Sequence, residues 1–591
     1  MKKIIFFAIC FIAILASCSN DDDANNGNNN DNNNFADNFG ANINADFFGR
    51  IADPSGIAIA GAVVSVGGQN TTTDSNGLFI IEGANVNEQF AYLKVEKNGF
   101  FNASRSLIPT NSAAHVQITM LPRALTGSVM SGKSSSVTGA DGEQVTFGGD
   151  FVDANGNAYN GTVNVYMDFL DPTDNMTQTA MPGMLYGEDE NGNEQGLDTF
   201  GMIIVELEGA SGESLNLADG SPATLCFPVD PSLQGVAPAT IPLWFFDEAN
   251  GYWKEEGLAT LNNGEYCGET SHFSFWNCDA PFPIEEVCIT VTDDQGNPIA
   301  GADVCITTAS ITYARCGVTD ANGEVCGMMP ANQVLTIDII DSCNNITSTQ
   351  NAGPFTAPAA VTIPIPITSS SVQNISGDLL DCNGLPVTNG YVILDDGTNV
   401  SYTNVTGGTF NFSVLVCTTS PNMFTLEGVD LNSLESSGQV SYTYTNPNTN
   451  IGSLYTCNTL TEYIEYTLDS NPQKVVTIRL NGSLGAANNP NGFTVSGSTN
   501  PNNEFLGLFF QDNALGSYAL DGSFTVGMTF FFESSALEID YNNTGNSVNA
   551  QVNANAPNVG DYYDGTFSGS YFDQSGVNHT ITGSFHVIRD N

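Results

Sequence analysis

Cysteine is the residue type in this chain whose chemistry is easiest to anticipate. The sequence of 591 residues contains 13 cysteines. None of their spacings is the Cys-x-x-Cys of a zinc site or a redox motif, which argues against both. Two cysteines lie within the first 18 residues, and the other eleven are Cys226, Cys267, Cys278, Cys288, Cys305, Cys316, Cys326, Cys343, Cys382, Cys417 and Cys457. Because eleven is odd, at least one thiol is free or pairs elsewhere if the rest form disulfides.

Histidine and carboxylate patterns give no recognisable active site. The four histidines, His115, His272, His579 and His586, are scattered and lack the spacing of a zinc peptidase motif. The 64 acidic residues single out no glycosidase pair, because only the separation of two carboxylates in space identifies one. No Gly-x-Ser-x-Gly sequence lies in an α/β context. These absences weaken the hypothesis of an enzyme without deciding it.

Residues 127–134 read GSVMSGKS and fit the string of a P-loop literally. A P-loop needs a helix directly after it, because the N-terminus of that helix holds the phosphate. Residues 135–139 (SSVTG) do not begin an amphipathic helix. The sequence therefore argues against ATP binding.

The first residues have the pattern of an export signal. Lys2 and Lys3 precede an unbroken apolar run over residues 4–16, and small residues end it. A positive start, a short apolar core and small terminal residues are typical of a secretory signal peptide. The apolar run is shorter than the roughly 20 residues that a membrane-spanning helix needs. A signal peptide over residues 1–17 is therefore predicted.

The end of this signal resembles the lipobox of bacterial lipoproteins, on residues Leu15, Ala16, Ser17 and Cys18. The resemblance implies cleavage before Cys18 and a lipid such as palmitate on that cysteine. An acidic run follows, and it resembles the surface-export signal of Bacteroidetes lipoproteins; its residues are Asp21, Asp22 and Asp23. By that resemblance the protein is anchored by its lipid in the outer membrane and faces the outside of the cell.

The charge of the chain argues against partners that bind through phosphate. Lysine and arginine number 13 against 64 acidic residues, and loss of Lys2 and Lys3 with the signal changes the net charge from −51 to −53. No basic patch can dominate such a surface, so binding to nucleic acid or to an anionic bilayer through charge is not expected. We interpret the carboxylates as solvating groups. No cofactor is predicted, although a structural calcium ion is compatible with the charge.

Apolar residues come in short alternating runs between clusters of Asn, Gly and Asp, which is typical of strands joined by tight turns. The mature chain is therefore predicted to be all-β, with tandem β-sandwich modules and a C-terminal antiparallel β domain. Residues 18–45 hold the lipidated cysteine and an Asn- and Asp-rich tether that is predicted to be disordered. The predicted units that follow are 46–123, a β-sandwich; 124–281, a β-rich middle domain; 282–369, a second, Cys-rich sandwich; 370–470, a third, divergent sandwich; and 471–591, the C-terminal β domain.

The three sandwiches rest on one pattern that occurs three times. Each copy has a strand, an Asp-x-x-Gly turn and a second glycine turn further on. The paired turn glycines are 56 and 77, 296 and 323, and 384 and 408. Repetition of this kind indicates one module used three times. We interpret the aspartates as turn formers rather than calcium ligands.

These copies resemble the carboxypeptidase regulatory-like family, a transthyretin-like β-sandwich of about seven strands. The third copy is looser, with Asn389-Gly390 where the first two have Gly-Ala. The resemblance implies spacer or binding modules that carry no catalytic residues.

The middle domain resembles a β-rich domain found beside such modules in Bacteroidetes surface proteins. More weakly it is similar to the middle region of cartilage intermediate layer protein and to the sandwich domains of ankyrins and netrin receptors. Trp244 and Trp276 could form a platform that stacks on a sugar, but we favour a core position for both. The C-terminal domain is predicted to be a meander, a small barrel or a sandwich. If the modules form a rod, this domain lies farthest from the membrane.

In an exported chain, disulfides are the default state of cysteine. Cys226 and Cys267 sit in predicted strands and form our predicted disulfide of the middle domain. In the second sandwich, two pairs flank turns almost symmetrically and are predicted to be cross-strand neighbours; these are Cys316 with Cys326 and Cys288 with Cys305. The three cysteines of the third sandwich cannot all pair among themselves, so the connectivity stays open.

The leading hypothesis is a non-catalytic, surface-exposed lipoprotein that acts in adhesion, in binding of a glycan or an extracellular protein, or as a scaffold. The alternative is an extracellular hydrolase of polysaccharide or protein, with its site in the middle or C-terminal domain. Two carboxylates about 5–10 Å apart in a groove lined by Trp244 or Trp276 would favour the hydrolase. A third hypothesis is a spacer without a pocket.

Overall fold

The computed structural model describes residues 35–73, 77–309, 311–341, 345–366, 372–397, 400–405, 407–416, 423–430, 432–433, 435–445, 447–459, 462–469, 474–476, 478–485, 492–499, 504–520, 528–532, 539–540, 543–557 and 562–589. In these ranges the chain is almost entirely β, as the alternation of apolar and polar residues predicts. The helical elements are a 3-10 helix at Phe35–Phe39 and one α-helical turn, α1, at Thr177–Ala180. Within the described ranges, no helix has the length and hydropathy that crossing a bilayer requires.

The first module is a sandwich of two sheets. Its strands are β1 (Asn42–Ala52), β2 (Val63–Val66), β3 (Gln69–Thr72), β4 (Leu78–Asn87), β5 (Ala91–Glu96), β6 (Ala103–Leu107) and β7 (Ala114–Thr119). The sheets have the orders β4–β1–β7 and β3–β2–β5–β6. β1 and β7 run parallel. Side chains alternate between core and surface along β5, where Ala91, Leu93 and Val95 point inward, because successive residues of a strand face opposite sides.

The middle domain contains a single hydrogen-bonded network of fourteen strands. They are β8 (Leu125–Met130), β9 (Ser135–Thr138), β10 (Gln144–Phe147), β11 (Phe151–Asp153), β12 (Ala158–Tyr159), β13 (Thr162–Leu170), β14 (Tyr186–Glu188), β15 (Glu194–Gly209), β16 (Ser214–Leu217), β17 (Ala223–Pro228), β18 (Thr240–Asp247), β19 (Tyr252–Asn262), β20 (Glu265–Thr270) and β21 (Phe275–Phe282). The long strand β15 pairs with β13, β14, β16 and β21 and so lies at the centre of the network. Residues from most strands share one apolar core.

The second module repeats the topology of the first. Its strands are β22 (Ile284–Asp293), β23 (Asp303–Thr307), β24 (Arg315–Val318), β25 (Glu324–Pro330), β26 (Leu335–Ile340), β27 (Ile346–Ala352) and β28 (Ala359–Ile365). The sheet orders are β25–β22–β28 and β24–β23–β26–β27. Counted from the first strand, both orders are those of the first module.

The third module keeps this plan with an addition. Its strands are β29 (Val372–Asp381), β30 (Gly390–Asp395), β31 (Val400–Asn404), β32 (Thr409–Leu415), β33 (Met423–Asp430), β34 (Glu435–Ser436), β35 (Val440–Thr443), β36 (Asn448–Thr456) and β37 (Asn458–Thr459). One sheet has the order β32–β29–β36, and the other contains β31–β30–β33 with β35 paired to β33. The short strands β34 and β37 extend the second sheet.

The three copies share the hydrogen bonds that fix the repeated turns. In each copy the carbonyl of the second turn glycine, Gly77, Gly323 or Gly408, accepts a hydrogen bond from the backbone of the first strand at 2.7–2.8 Å. Gly77 and Gly323 have φ near +72°, and a Cβ there would lie 2.3–2.4 Å from a carbonyl oxygen of the first strand. Only glycine fits such a position. The pattern found in the sequence is therefore one structural device used three times.

The C-terminal domain begins earlier than the sequence indicates. Its strands are β38 (Tyr463–Leu468), β39 (Lys474–Val476), β40 (Ile478–Leu484), β41 (Phe493–Thr499), β42 (Glu504–Phe510), β43 (Gly516–Ala519), β44 (Met528–Phe532), β45 (Ser547–Asn555), β46 (Tyr562–Phe572) and β47 (Asn578–Ile588). The sheets β39–β38–β47–β46–β45–β43 and β40–β41–β42–β44 share one core. β38 pairs along its whole length with β47, so the predicted boundary between residues 470 and 471 is wrong and lies near residue 460.

The predicted tether is also too long at its C-terminal end. Phe35 and Phe39, both at least nine-tenths buried, anchor the 3-10 helix, and β1 starts at Asn42. Two aromatic side chains four residues apart bury enough surface to order a segment that is otherwise polar. The folded chain therefore starts by residue 35 and not at residue 46.

The modules pack against one another, which contradicts a rod. Phe48 of the first module stacks near Tyr402 of the third, with 4.2 Å between ring centroids. His115 Nε2 lies 3.1 Å from the carbonyl oxygen of Val400. Contacts also join β3 of the first module with β40 of the C-terminal domain. The C-terminal domain therefore does not lie at the far end of an extended array.

Candidate functional site

The predicted anchoring residues lie outside the described residues. They are Leu15, Ala16, Ser17 and Cys18 of the lipobox and Asp21, Asp22 and Asp23 of the export signal. The signal, the lipid and the surface location therefore stay predictions of the sequence.

The proposed aromatic platform of the middle domain is wrong. Trp244 and Trp276 are fully buried, as is Trp253. The indole N–H of Trp276 donates to the carbonyl of His272 at 3.1 Å, and that of Trp244 donates to the carbonyl of Asp279 at 3.3 Å. Both faces of β18 and β21 are covered at these positions, since Trp276 belongs to one apolar cluster and Trp244 to another. This confirms the core position that the sequence favours. Neither ring lines a groove with a carboxylate pair.

Residues 127–134 form the end of β8 and the turn before β9. β9 starts at Ser135 and pairs with β10, so a strand follows the string where a P-loop requires a helix. Val129 and Val137 belong to the core of the middle domain. The structure confirms that this segment is part of a sheet and not a phosphate loop.

Four disulfides join described cysteines. The predicted Cys226–Cys267 bond is present and links the paired strands β17 and β20. In the second and third modules the bonds are Cys288–Cys326, Cys305–Cys316 and Cys382–Cys457. Cys343 and Cys417 lie outside the described residues. Cys278 is a free, fully buried cysteine, and burial raises the pKa of its thiol well above the usual value, so it is not a reactive thiolate.

The neighbours predicted within the second module are wrong. The sequence pairs Cys316 with Cys326 and Cys288 with Cys305 across two turns. Those turns carry the chain from one sheet to the other, because β22 and β25 lie in one sheet while β23 and β24 lie in the other. Each cysteine therefore faces a partner on the neighbouring strand of its own sheet.

The aspartates of the repeated turns act inside the turns. Oδ1 of Asp293 accepts hydrogen bonds from the backbone N–H groups of Gln295 and Asn297, both at 2.8 Å. Asp53 and Asp381 accept the equivalent pair of bonds in the first and third modules. A carboxylate oxygen used in this way stabilises the turn. The contacts support the interpretation as turn formers.

The histidines lie at separate places in the structure. His115 is at the interface between the first and third modules, where burial lowers the pKa of the imidazole to about 4. His272 packs against Trp276. In the C-terminal domain His579 lies between two carboxylates, with Nδ1 2.5 Å from Asp469 and Nε2 3.3 Å from Asp573. Since each ring nitrogen of His579 faces an aspartate, this group bridges two loops.

A buried ion pair joins the middle domain to the second module. Asp198 on β15 is 4% exposed, and its Oδ1 lies 3.3 Å from Nη2 of Arg315 on β24. The same oxygen accepts hydrogen bonds at 3.1 Å from the backbone N–H and the hydroxyl of Thr312. Burial raises the pKa of Asp198, although Arg315 and Thr312 act in the opposite direction. This group of residues fixes two domains against each other.

The best candidate for a functional site is a polar cleft in the third module, with a volume of about 550 Å³. Its floor is the outer face of the sheet β32–β29–β36, and the end of β31 forms one wall. The lining residues are Ser376, Gly377, Asp378, Thr403, Asn404, Thr409, Phe410, Asn411 and Asn450. We refer to these residues as the polar cleft.

The register of the sheet explains why these side chains meet. Ser376 on the central strand β29 lies opposite Asn411 on β32 and opposite Asn450 on β36. Two residues further along β29, Asp378 lies opposite Thr409. Residues two apart on a strand point to the same side, so these side chains form two rows on one face. Neighbouring strands are roughly 4.8 Å apart, which makes a row of three side chains about 10 Å wide.

The lining of the polar cleft is hydrophilic and almost neutral. Asp378 is its single charged residue, and no lysine, arginine or histidine is among the lining residues. Phe410 is 4% exposed and belongs to the core of the module, so it offers little apolar surface. Such a lining can exchange hydrogen bonds with a polar ligand.

Sequence reasoning did not find the polar cleft. Its residues come from four strands spread over residues 376–450, and most are ordinary polar residues in a chain rich in Asn, Ser and Thr. The sequence does contain the third copy of the repeat. That copy places residues 376, 411 and 450 in one row only once the register of its strands is known.

No family model and no curated protein matches this chain. Among solved structures, the minor pilin of Streptococcus agalactiae shares 9% identity over 30% of this chain and 97% of its own length, with a TM-score of 0.14. The shaft pilin of Lactobacillus rhamnosus GG shares 12% identity over 30% of this chain and all of its own, with a TM-score of 0.15. The TIE protein of Bacillus anthracis shares 9% identity over 78% of this chain and 71% of its own length, with a TM-score of 0.14. TM-scores this low do not establish a common fold.

Proposed function

We propose that this chain is a non-catalytic scaffold and binding protein, held at the outer surface of the outer membrane by a lipid on Cys18. Its three repeated sandwiches are regulatory-like modules, and its partner is a glycan or an extracellular protein. The protein needs no cofactor for this role.

The packing of the β units into one body carries the proposal. The first module contacts the middle domain through Arg105, whose guanidinium donates to the carbonyls of Gln178 and Gly183 at 2.5 and 3.1 Å. It contacts the third module through Phe48 and His115. The second module is joined to the middle domain by the Asp198–Arg315 pair. Such interfaces, together with four disulfides within the units, keep surfaces in fixed relative positions, which is what a scaffold requires.

The alternative of a hydrolase gains no support from the middle domain. The groove that would favour it needs Trp244 or Trp276 on its wall, and both side chains are fully buried. The polar cleft contains one carboxylate, Asp378, whereas glycoside hydrolysis uses two.

The anchoring part of the proposal is tested in a Bacteroidetes expression host fed with a clickable palmitate analogue. We expect the full chain to incorporate the label. We also expect protease added to intact cells to degrade the folded part of the chain. The Cys18→Ala variant should lose the label. An unlabelled full chain would overturn the lipid anchor, and a labelled chain that protease reaches only after lysis would overturn the outward orientation.

The binding part is tested with the soluble chain that lacks residues 1–18, on an array of glycans and extracellular matrix proteins, with and without calcium. Binding to a glycan or matrix protein is expected. Absence of binding to any of them would leave a spacer function in its place.

A further inference from the structure

We propose that the polar cleft of the third module binds a neutral saccharide, with Tyr455 as a stacking surface beside it. This inference rests on the proposed function, because it names the ligand class and the surface of that binding protein. It is independent of the lipid anchor.

The first argument is a comparison of the three copies at equivalent positions. The shared turn hydrogen bonds align Ile51, Val291 and Leu379 in the first strand of each module. Three residues earlier stand Phe48, Cys288 and Ser376. Their cross-strand neighbours complete one row of the outer sheet face in each copy; the rows are Ile80, Phe48 and His115 in the first module, Cys326, Cys288 and Ala360 in the second, and Asn411, Ser376 and Asn450 in the third.

These rows have different partners. In the first module Phe48 and His115 are covered by Tyr402 and Val400 of the third module. In the second module the row contains the Cys288–Cys326 disulfide. In the third module the row is polar, and Asn411 and Asn450 are exposed. The same sheet face thus serves docking in one copy, covalent linkage in another, and stays open to solvent in the third.

The second argument is that the polar cleft has unused hydrogen-bonding groups. Elsewhere the chain uses asparagine side chains in its own turns, as Asn297 does when its amide donates to Asp293 Oδ2 at 2.7 Å. Within the described part of the chain, the side chains of Asp378, Asn404 and Asn411 form no such bond. Asn450 uses its Oδ1 to accept from the N–H of Gly452 at 2.8 Å, which leaves its amide hydrogens available. Amide and hydroxyl groups both donate and accept, as sugar hydroxyls do.

The lining also rejects other ligand classes. Without a cationic side chain it does not neutralise a phosphate or a uronic acid. A single carboxylate does not suffice for a calcium site, because calcium takes about six to eight oxygen ligands, several of them from carboxylates. Buried Phe410 leaves little apolar wall for a hydrophobic ligand. A volume of about 550 Å³ lies in the range of small-molecule sites and admits a short saccharide.

Tyr455 supplies the apolar surface that the polar cleft lacks. It is 49% exposed and lies on β36 two residues after Ser453, which faces Asp378. The intervening Leu454 is buried, so Tyr455 points to the same side as Ser453. At about 3.3 Å per residue it stands roughly 7 Å further along the sheet. An aromatic ring at this distance can stack on the next sugar unit of a ligand that occupies the rows.

The test is isothermal titration of the soluble chain lacking residues 1–18 with four neutral hexasaccharides: cellohexaose, xylohexaose, mannohexaose and hexa-N-acetylchitohexaose. At least one should bind. Asn411→Ala and Asp378→Ala should each weaken that binding about tenfold, the effect of one lost hydrogen bond. Tyr455→Ala should weaken it by a similar factor, and Tyr455→Phe should not. Asn549→Ala, an exposed asparagine on β45, is the matched control and should bind like the unchanged chain.

If Asn411→Ala changes the unfolding curve, Thr403→Val replaces it, since that side chain lines the polar cleft from β31. A chain that binds none of the four sugars overturns the inference. A chain that binds one of them with equal affinity in all cleft variants overturns the site while the proposed binding function stands. Binding to matrix proteins alone on the array likewise leaves the proposed function intact and removes the saccharide.

Discussion

Replacement of Arg315 by leucine should destabilise the middle domain, although Arg315 belongs to the second module. Arg315 Nη2 lies 3.3 Å from Asp198 Oδ1, and the two side chains are 20% and 5% exposed. Removal of the arginine leaves the carboxylate of Asp198 buried without its cation. Loss of one partner from a buried pair costs about 3–5 kcal/mol, most of which is the penalty for the charge left behind.

The fluorescence of tryptophan measures this effect in the right place. All three tryptophans of the chain, Trp244, Trp253 and Trp276, are buried in the middle domain. Urea unfolding followed by their emission therefore reports on this domain. With a denaturant slope of about 2 kcal/mol per molar urea, the loss corresponds to a midpoint lower by roughly 1.5–2.5 M at pH 7. Lys133, an exposed cation in the turn before β9 of the middle domain, is the control, and Lys133→Leu should change the stability by about 0.5 kcal/mol or less.

The pH dependence separates charge from packing. Burial raises the pKa of Asp198, so the folded state binds a proton more readily than the unfolded state does. Stability from this group is therefore highest in acid and falls as the pH rises from the ordinary carboxyl pKa through the raised one. Without Arg315 the pKa rises further, so Arg315→Leu should cost less at pH 4.5 than at pH 7. Asp198→Asn in the Arg315→Leu background should restore most of the midpoint.

Two results would refute this reasoning. Equal destabilisation of Arg315→Leu at pH 4.5 and pH 7 would mean that lost packing, and not the uncompensated charge, dominates. An unchanged tryptophan transition would mean that the middle domain does not depend on its interface with the second module.

Three further predictions concern other contacts of the fold. Replacement of Cys226 and Cys267 by serine should lower the free energy of unfolding by about 4 kcal/mol, and replacement of Cys305 and Cys316 by about 3 kcal/mol. The first loss is larger because the 226–267 disulfide closes the longer loop. Urea unfolding measures both. Burial acts to lower the pKa of His579, but hydrogen bonds to Asp469 and Asp573 outweigh it and raise the pKa. The stability that this group contributes is therefore fully present below the ordinary imidazole pKa, and it is lost as the pH rises through the raised pKa. His579→Gln should remove that dependence from melting curves between pH 6 and 8, and an unaltered profile would contradict it. Phe39→Ala should cost up to about 3 kcal/mol and expose residues 35–41 to protease, whereas continued protection would contradict the role of Phe39.

The repeated modules could be predicted from sequence because their signal is local. Asp53 and Gly56 mark a turn whose hydrogen bonds lie within a few residues, and the same residue types recur in the other copies. Strand alternation is local as well, so the all-β class follows from it. The boundary near residue 460 did not follow, because the strand that pairs with the whole length of β38 is β47, more than 100 residues later.

The disulfides also depend on pairing between strands that are far apart in sequence. The predicted pairing of Cys226 with Cys267 is correct because each sits in a clear strand, although Cys278 lies in the same domain. The predicted pairs of the second module are wrong because symmetry about a turn does not imply adjacency within one sheet. In a sandwich the turn after β22 leads to the opposite sheet, so the true partner of Cys288 lies 38 residues away in sequence. The disulfide pairing in such modules depends on which loops cross from one sheet to the other. The residues around a turn do not show whether the chain crosses there.

The polar cleft follows from the repeat itself. A tandem array that packs into one body must cover some copies of a sheet face and leave others open. Phe48 and Ser376 occupy the same position of the same sheet, yet the first is buried against Tyr402 and the second lines an open cleft. The row Asn411, Ser376 and Asn450 carries amide and hydroxyl groups and no charge, so it meets the requirement of the neutral saccharide that we propose for this face.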